Sequence, residues 1–249
     1  MPELRDNNKI ERLIAAVASH PQASFYRELW GGKRTFDELP LVTIDDFVRA
    51  PLPTRRYKDD ISLVKTIHTA NGSFLSEWAF EDIAREPFGV ISKRPLVYME
   101  NSHEALEKSV WCYENGMVPL VGEADPDIAA FAARKYNVDS LITDERALTK
   151  LAPYLAEREE MLEAITVIGE TFDTRTLQPF TAYARRMRLV RAAAAVGAFA
   201  EAEFALEPVF IPVPGCLLVA TKEGFTVTKD RPLTTPIIKY YTGDLADTV

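Results

Sequence analysis

The feature that most constrains the fold is a regular alternation of short apolar runs with longer helical segments between residues 95 and 187. Four runs have the composition of strands: Pro95–Met99, Met117–Val121, Val138–Thr143 and Ile165–Gly169. Four segments that follow them have helical periodicity: Asn101–Gly116, Asp125–Tyr136, Asp144–Arg158 and Thr174–Met187. Strands that alternate with helices pair in parallel through right-handed crossovers. The sequence therefore predicts an α/β fold with parallel βαβ layers.

Capping residues mark where two of these helices begin. Asn101 is followed three positions later by Glu104, which is the spacing of a capping box. Asp125 stands directly before Pro126, so that an N-cap side chain precedes a proline at the first helical position. Both patterns support the predicted helices.

The region before this alternation is helical and punctuated by proline. Apolar side chains recur at helical spacing from Ile10 to Val17, and His20-Pro21 ends that helix. A second short helix is expected to begin near Thr43, with Asp46 completing its cap. We expect residues 1–60 to wrap the α/β core of residues 61–207 rather than to form it.

The pattern changes again after residue 207. Cys216–Thr221 and Phe225–Thr228 flank Lys222-Glu223-Gly224 and predict a β-hairpin, and Pro236–Tyr241 predicts a further strand. Residues 208–249 thus form a small antiparallel β tail on the α/β body. All three segments are expected to belong to one compact domain.

Composition and charge exclude several classes of protein. Of the 249 residues, 47% are hydrophobic and 27% charged, which is enough for a large core and excludes a disordered chain. The balance of 29 Lys+Arg against 37 Asp+Glu gives a net charge of -8. A chain of this charge repels nucleic acid and anionic membranes unless it carries a basic stripe, and the densest basic run, Arg185–Arg188, is short. We expect neither as a partner.

The cysteines and the N-terminal segment indicate a cytoplasmic protein. Cys112 and Cys216 are far apart, and together with three histidines they provide no zinc-site spacing. Met1–Arg12 is charged and lacks the pattern of a signal peptide, and no apolar stretch approaches the ~20 residues of a membrane span.

Four segments could carry chemistry. Ligands of open α/β sheets bind beyond the carboxyl ends of the strands, where Gly169-Glu170-Thr171 follows a predicted strand. The segment Leu189–Phe199 runs toward Glu201 and Glu203, and Pro236–Tyr241 leads into Thr242-Gly243-Asp244. The polar turn His68–Ser73 surrounds a glycine, as a phosphate-binding loop requires.

Each segment also has a structural interpretation, as a turn or as a solvated carboxylate. Three established motifs are absent: the P-loop, the G-x-G-x-x-G fingerprint and the Gly-x-Ser-x-Gly elbow. The sequence thus gives no support to a P-loop NTPase, a Rossmann dehydrogenase or an α/β-hydrolase.

In chain order these segments resemble the adenylate-forming (AMP-binding) superfamily, in particular its phenylacetate–coenzyme A ligase branch. That family has a Pro-rich entry, a Ser/Thr/Gly-rich phosphate loop, a Gly-Glu-Pro turn, a Tyr-Gly-x-Thr-Glu motif and a strand ending Arg-Tyr-x-Thr-Gly-Asp-Leu. The similar segments here are Phe25–Thr43, Thr69–Ser73, Gly169–Thr171, Phe199–Glu203 and Lys239–Leu245. The resemblance implies the fold of an acyl-CoA synthetase N-terminal domain.

The resemblance also implies a two-step reaction, in which ATP and a carboxylic acid give an acyl-adenylate that coenzyme A captures as a thioester. Glu203 would be the catalytic residue and would hold Mg²⁺ at the phosphates, and Asp244 would bind the ribose hydroxyls of ATP or AMP. The remaining nucleotide-binding residues would be Thr69, Asn71, Gly72, Ser73, Gly169, Glu170, Thr171 and Phe199.

The sequence departs from the family pattern at several of these positions. No lysine follows the phosphate loop, and Phe199, Ala200 and Ala202 replace the tyrosine, glycine and threonine of the Tyr-Gly-x-Thr-Glu motif. The chain stops five residues after Asp244, where the family's C-terminal domain with its catalytic lysine would follow.

Three hypotheses follow from these departures. The first is a reduced ligase acting on a small carboxylic acid or an acyl-CoA, with the missing C-terminal domain supplied by a separate partner enzyme. The second is a pseudoenzyme that binds a nucleotide or acyl group as a scaffold or regulator. The third is another α/β nucleotide binder, similar to a glycosyltransferase. A C-terminal strand with an open edge would make a homodimer plausible.

Overall fold

A computed structural model describes residues 7–69, 72–86, 92–122, 125–221 and 224–243. The chain divides into two compact units. The first unit contains the described residues of Met1–Asp82, Ala194–Val196 and Pro214–Asp247, and the second contains those of Ile83–Ala193 and Gly197–Val213. Both units are therefore discontinuous in sequence.

The described residues form eight α-helices and twelve strands. The helices are α1 (Asn7–Ser19), α2 (Ser24–Trp30), α3 (Ile44–Arg49), α4 (Phe80–Ala84), α5 (Ser102–Glu114), α6 (Pro126–Tyr136), α7 (Glu145–Ala156) and α8 (Thr174–Leu177). The strands are β1 (Leu63–Thr69), β2 (Gly72–Trp78), β3 (Pro95–Tyr98), β4 (Leu120–Val121), β5 (Ser140–Thr143), β6 (Ala164–Gly169), β7 (Met187–Ala193), β8 (Gly197–Glu203), β9 (Ile211–Pro212), β10 (Cys216–Thr221), β11 (Gly224–Lys229) and β12 (Tyr240–Tyr241). Among these helices none is long and apolar enough to cross a membrane.

The first unit begins with the predicted N-terminal helix. The apolar face of α1, from Ile10 to Val17, is buried, and the helix ends at Ser19 before the predicted His20-Pro21 stop. The predicted cap of α3 is also present, because Thr43 and Asp46 form a complete capping box.

Aromatic rings and a buried arginine fill the interior beside α3. The Phe47 ring lies 5.5 Å from that of Tyr240 and 5.9 Å from that of Phe74. The Arg55 guanidinium packs over Phe47 and Phe74 at 5.2 and 5.4 Å, and the whole side chain is 2% exposed. Arg55 also donates a 2.7 Å hydrogen bond to the Leu75 carbonyl, and its burial lowers its pKa. Because Tyr240 is remote in sequence, this interior depends on the C-terminal segment.

The C-terminal strands of the first unit form a three-stranded antiparallel sheet in the order β10-β11-β12. The predicted hairpin of β10 and β11 is confirmed, whereas the predicted strand Pro236–Tyr241 is reduced to Tyr240–Tyr241. Val42 pairs with the other side of β12, since its N–H donates to Lys239 at 2.9 Å and its carbonyl accepts from Tyr241 at 2.8 Å. The prediction of an open edge on the C-terminal strand is therefore wrong at β12.

The second unit contains a seven-stranded sheet in the order β4-β3-β5-β6-β7-β8-β9. The pairings from β4 to β7 are parallel, β8 runs antiparallel to these strands, and β9 pairs antiparallel with β8 and so has the same direction as β7. All four residues of β3 and all four of β5 are buried, as expected for strands covered on both faces. The predicted α/β class and its parallel core are confirmed.

The predicted helix Thr174–Met187 is wrong. The structure has the four-residue α8, a 3₁₀ helix at Gln178–Tyr183, and then β7 from Met187. Pro179 explains the early end of α8, since proline lacks the N–H that would donate to the carbonyl four residues earlier. Sequence analysis also missed β7 and β8, because their alanine-rich composition favours helix and only pairing within the sheet overrides that preference.

A buried carboxylate accepts a hydrogen bond from the backbone at the start of β8, directly after the turn from β7. Glu86 is 2% exposed, and its Oε2 accepts a 2.7 Å hydrogen bond from the Ala198 N–H. Gly197 has a φ of +74°, and a Cβ added there would lie 2.6 Å from Glu86 Oε2. Glycine at 197 thus leaves the space that the carboxylate occupies.

Candidate functional site

The carboxyl ends of three neighbouring parallel strands bring together the polar residues of the second unit. Glu100 follows β3, Asp144 follows β5 and Glu170 follows β6. Asp144 accepts hydrogen bonds from the N–H groups of Glu100 at 2.7 Å and Ala147 at 2.9 Å, and so caps α7. Asn101 likewise caps α5. Backbone N–H groups in the first turns of α5 and α7 therefore already donate to side chains of this chain.

Acidic groups dominate the electrostatics of this edge. Glu170 is exposed as a residue, yet nearby protein atoms partly desolvate its carboxyl group, and this desolvation, together with repulsion from Glu104, raises its pKa. Tyr98 has a raised pKa for the same leading reason, reinforced by Glu100 and Asp144. Glu100 pairs with Lys150. An edge of this kind favours hydroxyl groups and cations over bare phosphate.

An aromatic platform lies beside the predicted Gly169–Thr171 turn. A Cβ added to Gly169 would come within 3.3 Å of the Phe172 ring, so the turn and the ring are in close contact. The Phe172 ring stacks on that of Phe210, with centroids 5.8 Å apart and planes 9° apart, and the Arg191 guanidinium lies 4.2 Å from the Phe210 centroid. Sequence analysis missed this platform, because no local pattern links its three members. Thr171 is exposed beside it.

The predicted residues Phe199 and Glu203 lie elsewhere on the sheet. In the register of the sheet, Gly169 at the end of β6 pairs with Arg191 of β7, and Glu203 of β8 pairs with Arg188 of β7. Since β8 runs antiparallel to β7, Glu203 lies toward the amino-terminal end of β7. Glu203 is therefore three residues, about 10 Å, from the carboxyl edge. The expectation that the segment leading to Glu203 ends at that edge is wrong. Phe199 is buried in β8, with 1% of its surface exposed, which leaves little for a ligand to contact.

The surroundings of Glu203 do not fit a Mg²⁺ ion. Its carboxylate lies 2.6 Å from Arg186 and 3.9 Å from the Nε of Arg188, and Arg188 also pairs with Glu201. Within the described ranges, no three His, Cys, Asp or Glu side chains group together as metal ligands. A cation at Glu203 would meet the positive charge of Arg186 and Arg188 and, among the described residues, no group of three ligands, so we derive no step through a metal there.

The predicted phosphate loop belongs to the first unit, at the tip of the β1–β2 hairpin. The antiparallel register continues to the pair Thr69 and Gly72, so only two residues connect the strands, and Asn71, one of them, lies outside the described residues. The Nδ1 of His68 lies 2.7 Å from the Oγ of Ser73, and Gly72 and Ser73 are exposed. The hairpin tip thus presents two exposed small residues beside a histidine.

The last predicted segment is described only in part. Thr242 donates to the Phe225 carbonyl through both its N–H, at 3.0 Å, and its hydroxyl, at 3.1 Å. Gly243 has a φ of +81°, as expected in a turn. Asp244 lies outside the described residues.

Sequence comparison does not identify a family. No protein-family model matches the chain, and no curated protein matches it.

Solved structures do match. An open conformation of 2-hydroxyisobutyryl-CoA ligase, in complex with 2-HIB-AMP and CoA, is similar with a TM-score of 0.73 and 11% identity, over 94% of this chain and 67% of the ligase. The N-terminal subdomain of Klebsiella oxytoca NpsA in complex with 3-hydroxyanthranilyl-AMSN has a TM-score of 0.54 and 10% identity, over 70% of this chain and 51% of that one. Escherichia coli MenE with bound OSB-AMS has a TM-score of 0.53 and 11% identity, over 74% and 42%.

These identities establish likeness of fold. The chain spans about two thirds of the CoA ligase and about half or less of the other two proteins. The mixed sheet, with its parallel core and antiparallel end, agrees with that likeness. The chain has the fold of the N-terminal domain of adenylate-forming enzymes.

Proposed function

We propose that this chain is a ligase-like protein of the phenylacetate–coenzyme A ligase branch, which activates a carboxylic acid as an acyl-adenylate. The observation that supports this proposal is the similarity over 94% of the chain to a CoA ligase whose structure holds an acyl-AMP and CoA. In the reaction, a carboxylate oxygen attacks the α-phosphorus of ATP and pyrophosphate leaves. The thiolate of coenzyme A then attacks the acyl carbon, and AMP leaves.

The chain's own residues would act mainly by binding. In the second unit, Gly169, Glu170 and Thr171 would border an adenosine group, because the acidic edge suits ribose hydroxyls. In the first unit, the family resemblance assigns Asp244 to ribose hydroxyls and the hairpin tip to phosphate, with Thr69, Asn71, Gly72 and Ser73 providing backbone N–H and side-chain hydroxyl groups.

A second function is favoured by the position of Glu203. This carboxylate lies about 10 Å back from the carboxyl edge of the sheet, at which the nucleotide would bind. Loss of one preorganised charge of this kind typically costs about 3–4 kcal/mol of transition-state stabilisation. The alternative is therefore a non-catalytic protein that binds a nucleotide or acyl group and acts as a scaffold or regulator.

Pyrophosphate exchange separates the two functions. The ligase function predicts exchange that depends on ATP and on one member of a panel of aryl and aliphatic acids, either by the chain alone or with a supplied C-terminal domain of a related ligase. The binding function predicts no exchange under any of these conditions, but a calorimetric heat with AMP or a non-hydrolysable acyl-adenylate analogue.

Two variants test the site itself. Asp244→Ala and Glu170→Gln should each weaken binding of the acyl-adenylate analogue, whereas Glu159→Gln, on an exposed loop, should not. A chain that neither exchanges pyrophosphate nor binds AMP or the analogue would contradict both functions.

A further inference from the structure

A small internal cavity lies in the first unit, beside β2 and α4. Its volume is about 10 Å³, which is close to the space that a single buried water molecule needs. The lining consists of residues that are each at most 6% exposed, so the protein interior surrounds the cavity. These residues are Ser76, Glu77, Trp78, Asp82, Ala195, Leu233 and Thr235.

The hydroxyl group of Thr235 is the polar group of this lining that lacks a partner. Thr235 is 6% exposed, and its Oγ1 makes no hydrogen bond to any of the residues that the structure describes. A buried hydroxyl group without a hydrogen bond destabilises the folded state, so such groups are normally satisfied by protein or by an ordered water. The hydroxyl group and the cavity together therefore indicate a bound water.

The carboxylates of Glu77 and Asp82 provide acceptors for this water. Glu77 accepts hydrogen bonds from Arg56 at 2.6 and 3.0 Å. Asp82 accepts one from Lys58 at 2.9 Å and two from Thr234, at 2.7 and 2.8 Å. A carboxylate has about four acceptor sites, so each can accept one more hydrogen bond. Because each negative charge already has a cationic partner, the cavity favours a neutral donor over a metal cation.

We propose that this cavity binds one water molecule, which accepts a hydrogen bond from the Thr235 hydroxyl and donates to the carboxylates of Glu77 and Asp82. Three hydrogen bonds are typical of a buried water. The water would join β2, α4 and the segment that precedes β12, which are distant in sequence. This site is independent of the proposed function.

A crystal structure of the full chain tests the proposal directly, at a resolution that shows ordered solvent. A water should appear in the cavity within hydrogen-bond distance of Thr235 Oγ1. It should persist in Thr235→Ser, which keeps the hydroxyl group, and disappear in Thr235→Val. Crystals soaked in thallium(I) acetate should show no anomalous peak in the cavity, and a peak there would assign the site to a cation and overturn the proposal.

Urea denaturation of Thr235→Val gives an independent test, because a cavity with water and a cavity without it predict different changes. If water is bound, the variant removes one of its hydrogen bonds, and the equilibrium constant for unfolding should rise about threefold to tenfold. If no water is bound, valine only removes an unsatisfied hydroxyl group, and the variant should be at least as stable as the wild type.

Thr166→Val is the matched control. Thr166 of β6 is 1% exposed, its hydroxyl group also lacks a partner among the described residues, and it does not line this cavity. Its substitution should not raise the equilibrium constant for unfolding. The proposal is overturned if the wild-type cavity shows no water, or if Thr235→Val loses no more stability than Thr166→Val. If Thr235→Val fails to fold, the crystal structures of the wild type and of Thr235→Ser decide.

Discussion

At the scale of single residues, two pairs have the largest consequences: a glycine that leaves room for a buried carboxylate, and two carboxylates that repel each other. Gly197 and Glu86 share one buried space, with the carboxylate hydrogen-bonded to Ala198. Glu170 and Glu104 repel each other at the carboxyl edge of the sheet. Both situations lead to measurable consequences.

We expect Gly197→Ala to lower the free energy of unfolding by about 2–5 kcal/mol. An alanine at a positive φ costs roughly 1–2 kcal/mol, and the displaced Glu86 carboxylate would lose its buried hydrogen bond for a further 1–3 kcal/mol or so. Urea denaturation measures the change. Gly116→Ala is the matched control, because Gly116 has a φ of +77° with nothing within 4 Å of an added Cβ, so it should show the backbone cost alone. Equal losses in the two variants would contradict the role of Glu86.

The raised pKa of Glu170 predicts a pH-dependent penalty. Between the ordinary glutamate pKa and the raised one, the folded protein binds more protons than the unfolded chain, so the free energy of unfolding falls as the pH rises through that window. Glu170→Gln should therefore be more stable than the wild type at pH 7 and equally stable below about pH 4. Thermal unfolding across this pH range measures the difference, and Glu159→Gln serves as the comparison. If the variant is no more stable than the wild type at pH 7, the surroundings of Glu170 do not destabilise its charged carboxylate.

At the scale of elements, the sequence was most informative where local signals agreed with each other. The caps at Asn101 and Asp125 locate the starts of α5 and α6, and the alternation of apolar runs predicts the parallel strands. The alanine-rich β7–β8 hairpin could not be predicted, because its side chains favour helix and only pairing within the sheet overrides that preference. The error at Glu203 has the same origin, since the direction of β8 decides which edge of the sheet that residue occupies.

The ion pair between Arg188 and Glu201 should stabilise the pairing of β7 and β8 more than the ion pair between Arg186 and Glu203 does. Arg188 and Glu201 are 14% and 19% exposed, whereas Arg186 and Glu203 are both more than half exposed, at 59% and 57%. Exposed pairs contribute about 0–1 kcal/mol, and shielded charge-assisted pairs about 1.5–3 kcal/mol. Double-mutant cycles on the two pairs measure the difference. A larger coupling energy for Arg186 and Glu203 would indicate that Glu203 is held more firmly than its exposure suggests.

At the scale of the whole molecule, the division into two units sets what can fold alone. The residues of the second unit are almost contiguous from Ile83 to Val213. The first unit needs two distant stretches, since Tyr26 donates to the Pro236 carbonyl and Asp82 accepts from the N–H and hydroxyl of Thr234.

Fragments test this division. A fragment of residues 83–213 should show helical circular dichroism and cooperative thermal unfolding, whereas a fragment of residues 1–82 should not, because it lacks Thr234, Pro236 and Tyr240. Adding a peptide of residues 214–249 to the 1–82 fragment is the control, and it should restore structure. Cooperative unfolding of the 1–82 fragment alone would contradict the division.

The close packing of the Glu86 carboxylate against Gly197 also has an evolutionary consequence. A side chain at 197 and an acid at 86 exclude each other sterically, so substitution at either position should be tolerated mainly when the other changes as well. Homologous sequences should therefore show coupled variation, with glycine retained at 197 wherever a carboxylate occupies 86.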